Sequence, residues 1–160
     1  MKSWLIKNRG FSVVEMMVVV AIIGILAMIA IPSSMGRIIK EQIVAAIPLA
    51  DIAKEPINIS WKTLKKLPAD NAEASLPNPE KVVSNFVSAV EINNGVINMT
   101  FGNKINPKIN GKVLSFRPAV IEESQAVPIA WVCGNAKVPN QMMVKGENKT
   151  TVPIEYFRLC

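Results

Sequence analysis

A chain of 160 residues, half of them apolar and carrying a formal charge of +6, has room for one modest domain beside an unusually apolar segment. It has no histidine, and Asp51 and Asp70 are its only aspartates, which removes the commonest general base and leaves no oxygen-rich calcium loop. The charge is uneven: Lys2, Lys7 and Arg9 give the first ten residues +3, residues 11–80 sum to −1, and residues 81–160 to +4.

The basic opening runs into Phe11 to Pro32, 22 residues whose one charge is Glu15. As a helix rising about 1.5 Å per residue the block spans roughly 33 Å, enough to cross a hydrocarbon core once. Cations precede it and none follows before Arg37, which places the N-terminus in the cytoplasm and the rest of the chain outside. A charge costs about 2.5–3.5 kcal/mol at a bilayer centre and less near its surface, so Glu15 calls for a partner. The block ends Ala30-Ile31-Pro32-Ser33-Ser34, without the cleavage site of a disposable secretory signal. Gly24 and Pro32 are its weak points: glycine costs about 1 kcal/mol relative to alanine, and Pro32 removes the hydrogen bond to the Met28 carbonyl.

Beyond Pro32, Met35, Ile38, Ile39, Ile43, Ala46, Ile47, Ala50 and Ala53 recur at spacings of three and four with charges between them, an amphipathic helix whose apolar face suits a sheet. Pro48 and Pro56 predict kinks or an early end, with the helix stopping between Lys54 and Lys65. Leu67 to Glu80, with Pro68, Pro77 and Pro79, reads as a loop. From Val82 the period becomes two. Strands are expected near 86–92 and 96–101 around an Asn94-Gly95 turn, then at 113–117 and 128–133. Cys133 and Cys160 lie far apart: in an exported protein they read as a disulfide, in cytosol as two buried thiols.

These residues carry a resemblance. Arg9-Gly10-Phe11 followed by Glu15, then Val18 to Ala27 and Ala30-Ile31-Pro32, resembles the N-terminus of type IV pilins, with Ser12 and Val13 in place of the commoner threonine and leucine. The head is similar to that of type IVa pilins in its Asn-Gly hairpin, its Lys112-x-Leu114-x-x-x-Pro118 run, its Ile129-x-Trp131-x-Cys133 run and its terminal cysteine. The resemblance implies an α+β fold, a long N-terminal α-helix with its hydrophobic half protruding, packed on a four-stranded antiparallel β-sheet head. It implies a prepilin leader at 1–10, a membrane and filament-core helix half at 11–32, an amphipathic half at 33–63 and a head at 64–160. It also implies cleavage between Gly10 and Phe11 by a prepilin peptidase, N-methylation of Phe11, and a Glu15 that neutralises the N-terminus of an adjacent subunit. Gly24 and Pro32 bound a stretch expected to lose helix on assembly. Given export, Cys133 and Cys160 are expected to close a loop of about 28 residues, worth roughly 3–4 kcal/mol in the chain-entropy picture. Glu155 to Leu159 depart from the family's usual leucine-proline ending.

The expected function is that of a structural subunit of a type IV pilus. Its partners would be other pilin subunits, prepilin peptidase and inner-membrane assembly machinery, first in the inner membrane and then in the extracellular filament of a Gram-negative-type bacterium. Adhesion, twitching motility and DNA uptake are the roles such filaments serve. An alternative is a DNA-binding minor pilin, for which Lys104, Lys108, Lys112, Lys145 and Lys149 are the candidate contacts, with Arg117 and Lys137 adding to the basic half. A type II secretion pseudopilin is a further alternative, opposed by the terminal cysteine and the missing calcium loop. Without histidine, clustered aspartates, a phosphate loop or a nucleophile motif, no catalytic residue, cofactor or metal ligand is assigned. The Asn-x-Ser/Thr triplets at Asn58, Asn98 and Asn148 carry no function in a bacterial protein.

Overall fold

A computed structural model describes residues 10–124 and 126–157, apart from the side chains of residues 30–34. In chain order its elements are helices α1 (Val13–Ala46) and α2 (Pro48–Leu64), strands β1 (Val87–Asn93), β2 (Val96–Phe101), β3 (Val113–Val120), β4 (Ala130–Cys133) and β5 (Met143–Val144), and the short helix α3 (Ile154–Phe157). The chain divides into two units, Met1–Arg37 and Ile38–Cys160.

In the first unit α1 is helical through both Gly24 and Pro32. Every described side chain from Phe11 to Ile29 is exposed. The apolar run Val13 to Ile29 is about 25 Å long. Among the described residues no helix is long and apolar enough to cross a membrane. The last residues of the expected span, Ala30 to Pro32, are among those whose side chains lie outside the description.

In the second unit the helix buries Ile39, Ile43, Ala46, Ala50, Ala53, Ile57 and Trp61. Their spacings of three and four keep them on one face. That face shares a single core with Val87, Val90 and Ile92 of β1, Ile97, Met99 and Phe101 of β2, Leu114 and Phe116 of β3, and Cys133 of β4. Met35 and Ile38, expected on the buried face, are 44% and 48% exposed, because the core begins only at Ile39. The expected proline kinks reduce to one residue between the helices, Ile47, whose own φ of −52° and ψ of −41° are helical. Pro48 takes the first helical position, where a missing N–H does least harm, and α2 continues through Pro56. Lys65, with φ 54°, ends it by donating its N–H to the Trp61 carbonyl.

The sheet is antiparallel in the order β1-β2-β3-β4. Asn94 (φ 49°) and Gly95 (φ 80°) make the two-residue turn that the Asn-Gly pair predicts between β1 and β2. Five strands form where four were expected: β5 pairs Val144 with Ala119 and Met143 with Val120. Strand β3 therefore runs past the expected end at Arg117 and through Pro118. There β2 has already left β3, at the Ile97–Phe116 pair, and Pro118 keeps a carbonyl that accepts the Lys145 N–H.

Residues 145–152 then form a strap across β3. The Lys145 N–H donates to the Pro118 carbonyl (2.9 Å). The Lys149 N–H donates to Ser115 Oγ (3.0 Å), and the Ser115 and Val113 N–H groups donate to Thr150 Oγ1 (3.0 Å) and Thr151 Oγ1 (2.8 Å). Gly146 adopts φ +81° against Val96, where an added Cβ would stand 2.1 Å from Val96 Cγ2. Beneath the strap the buried Ser115 hydroxyl donates to Asn98 Oδ1 (2.7 Å).

Candidate functional site

Helix α1 opens with a reciprocal hydrogen-bonded start. The Ser12 N–H donates to Glu15 Oε2 (2.8 Å), the Val14 N–H donates to Ser12 Oγ (3.3 Å), and the Met16 N–H donates to the Ser12 carbonyl (3.2 Å). This is a capping box, in which Ser12 and Glu15 satisfy donors that the first turn leaves without helical partners. The carboxylate also lies at the positive end of the helix dipole. Gly10 and Phe11 precede the box without helical structure, and Phe11 is 80% exposed. The peptide bond between them is therefore outside the helix, and Glu15 has a hydrogen-bond partner within its own chain. The spacing Ser12-x-x-Glu15 was the available sequence signal for Ser12's part.

Gly24 has open space where a Cβ would stand. Pro32 is helical in backbone, with its side chain outside the description. Cys133 ends β4, buried in the core, and Cys160 lies outside the described residues.

The head's lysines separate into two places along β3. Lys104 and Lys108 are exposed in the β2–β3 connection, and half-buried Lys112 leads into β3. Exposed Lys149 bonds through its backbone to Ser115 near the same end. Lys145 lies further along the strand, against Pro118, and its ammonium is ion-paired to Glu122. Arg117 is turned to the Gly134 carbonyl, to which Nη2 donates at 2.9 Å.

Two further features had little sequence signal. Asn71, buried in the loop after α2, receives the Ile92 N–H on Oδ1 (2.6 Å) and donates from Nδ2 to the Val90 (2.9 Å) and Pro77 (3.0 Å) carbonyls. It thereby occupies the open edge of β1. The same loop is fixed by Glu73, which accepts the Ala69 N–H (2.5 Å) and the Lys66 ammonium. The Lys66 hydrogen bond, then the Ala69 one, hold the Glu73 carboxyl below its ordinary range. Burial, then the hydrogen bond with Glu155, push the Tyr156 hydroxyl up. Lys54 pairs with Asp51 (2.7 Å) while its ammonium lies 5.2 Å from the Phe116 ring centre and 6.0 Å from that of Trp131. Among the described residues no cluster of histidine, cysteine, aspartate or glutamate could hold a metal ion.

A capped apolar helix and an antiparallel head with its edge covered define a structural subunit whose long exposed apolar surface is suited to neighbours. A family model described as pilin (bacterial filament) matches residues 40–147, and one described as a prokaryotic N-terminal methylation motif matches residues 5–31. The chain is 31% identical over 128 residues to a fimbrial protein of Neisseria meningitidis serogroup A, covering 79% of this chain and 73% of that one. It is 30% identical over 134 residues to the type IV major pilin protein PilE of Neisseria gonorrhoeae, covering 83% and 78%. It is 31% identical over 131 residues to the fimbrial protein EcpC of Eikenella corrodens, covering 80% and 83%. The chain therefore belongs to the type IV pilin family and is a structural subunit of a multi-subunit, extracellular pilus filament.

Proposed function

We propose that the chain is made as a precursor whose leader, residues 1–10, is removed between Gly10 and Phe11 by a membrane prepilin peptidase, and that the new Phe11 amine is methylated. Residues 11–32 hold the unassembled subunit in the inner membrane. Assembly machinery then draws the helix into a filament core, where Glu15 exchanges its own Ser12 N–H for the Phe11 amine of a neighbour. The observation that carries this reading is the capping box, which leaves Gly10–Phe11 outside the helix and holds Glu15 one turn away. A carboxylate meeting an amine in apolar surroundings is stabilised, whereas either one alone there is costly.

The head is closed by a Cys133–Cys160 disulfide in this reading. What supports the pairing is that Cys133 carries no free thiol. In addition, Phe157 is packed on Gly134, where an added Cβ would stand 2.5 Å from its ring, so the chain at Phe157 has returned to the end of β4. In the filament the helix between Gly24 and Pro32 melts, a change that a filament map with continuous helix there would disprove. Replacing Gly10 by arginine tests the processing step. The variant is expected to accumulate in the inner membrane with its leader intact and to yield no sheared filaments; filaments of normal abundance from it would contradict the proposal.

A further inference from the structure

The β2–β3 connection, residues 102–112, carries Lys104, Lys108 and Lys112 and lies in a stretch, 92–121, without a single aspartate or glutamate. Burial decides how it presents them. Ile105 and Ile109 are buried and anchor the connection in the core, while Lys104 and Lys108, each one residue ahead, are exposed. Hydrogen bonds fix the backbone: the Lys104 N–H donates to the Asn85 carbonyl (2.8 Å), the Lys108 N–H to Asn106 Oδ1 (3.0 Å) and the Gly111 N–H to the Phe101 carbonyl (2.8 Å). The Asn106 N–H donates to Gln42 Oε1 (3.1 Å), which ties the connection to the start of the buried helix. The β1–β2 turn, at the other end of the sheet, is tied to the chain just past the helix, where the Asn94 and Gly95 N–H groups donate to the Ala69 and Pro68 carbonyls. Toward that end Lys66 and Lys145 are ion-paired with Glu73 and Glu122. The three lysines of the connection have no ion-pair partner among the described residues.

We propose that this connection docks on the anionic phospholipid headgroups of the membrane that holds the unassembled subunit, an inference that rests on the membrane reading of residues 11–32. Gln42, its helix partner, is only the tenth residue after Pro32, a reach of at most about 35 Å even for extended chain. Lipid phosphates therefore stay within range of this end for as long as the subunit is anchored. A contact too weak to form from free solution forms under such tethering, because its partner is held at high effective concentration. Three lysines suit that partner better than a DNA duplex, whose binders neutralise about six to ten phosphates. The other lysines weighed for DNA do not join them: Lys145 is paired with Glu122, and Lys149 lies further along β3 at Ser115. Lys40 and Glu41, which adjoin Gln42, offset each other in charge, so the connection's own lysines set the sign of this end. Each lysine at an anionic surface strengthens the contact about fivefold.

Fluorescence quenching in the full chain, reconstituted in vesicles containing a lipid with a nitroxide on its headgroup, tests the docking. A dye is attached at exposed Asn110 through Asn110→Cys or, as a reference in the loop after α2, at exposed Ala72 through Ala72→Cys. In vesicles of phosphatidylcholine mixed with phosphatidylglycerol, the dye at position 110 should be quenched and the dye at position 72 should not. Quenching at 110 should fall to the reference level in phosphatidylcholine alone, and in molar salt, which screens charges beyond about 3 Å. It should also fall in the chain carrying Lys104→Gln, Lys108→Gln and Lys112→Gln together, whose contact weakens by about 100-fold. The lipid and salt series keep all three lysines, so they decide the matter even where the triple variant does not fold. Quenching at 110 that ignores lipid charge and salt, or that is equal at both positions, overturns the docking and leaves the membrane reading intact. No quenching in the anionic vesicles, with duplex DNA bound through the same three lysines, overturns it in favour of nucleic acid. A chain that floats with neither kind of vesicle overturns both readings.

Discussion

Replacing Asn71 by alanine removes the group that closes the free edge of the sheet. Val90 is 0% and Ile92 2% exposed, so without the amide the Val90 carbonyl and the Ile92 N–H are left in the interior with no partner. A buried group stranded in this way costs about 1–3 kcal/mol, which for two groups gives a loss of roughly 3 kcal/mol. Urea unfolding of the detergent-solubilised chain, followed by tryptophan emission, reads this directly. With a slope of about 1–3 kcal/mol per molar, the midpoint should fall by roughly 1–3 M. Asn71→Asp keeps an acceptor for Ile92 but turns an oxygen toward two carbonyls, so it should be at least as damaging at neutral pH and recover partly when protonated. A loss below about 0.5 kcal/mol for Asn71→Ala would mean that water replaces the amide, and the edge-closing argument would fail. The consequence for a polymerising subunit is specificity, since an open β1 edge offers unpaired backbone to any other strand.

Gly146→Ala, strained at φ +81° and overlapping Val96, should loosen the strap and lower stability by about 1–3 kcal/mol. Gly24→Ala enters open space on a helix and should raise helix content in micelles, a gain of up to about 1 kcal/mol visible by circular dichroism. Because Glu73 is held below its ordinary range, its contribution is present above that range and lost as the pH falls through the lowered value. Glu73→Gln should therefore flatten the acid limb of the stability profile, and an unchanged limb would exclude Glu73 as its source. Cys160→Ser should cost about 3–4 kcal/mol and release the chain end, seen as rapid amide exchange from Thr150 to Phe157.

Local rules made much of the head legible. The three-four repeat identified the buried helix face from Ile39 onward, and Asn94-Gly95 specified a turn that needs two positive φ angles. Period two in β1 separated core from surface only from Ala89 onward, because the register shift between Val87 and Ala89 buries Val87 out of step with Val90 and Ile92. Legibility failed where partners are distant in sequence or where side chains replace backbone ladders. The strap is held by Thr150, Thr151 and Ser115 side chains instead of a strand period, and β5 has two residues, too few to show one. Asn71 sits in a proline-rich loop, and nothing nearby in sequence announces that its amide will meet Val90 and Ile92.

Mass spectrometry of surface-sheared filaments decides whether the chain becomes a processed filament subunit. A processed subunit gives an abundant chain that begins with N-methylated Phe11 and lacks Met1 to Gly10. Filaments whose chain retains the leader, or sheared material from which this chain is absent, would contradict it.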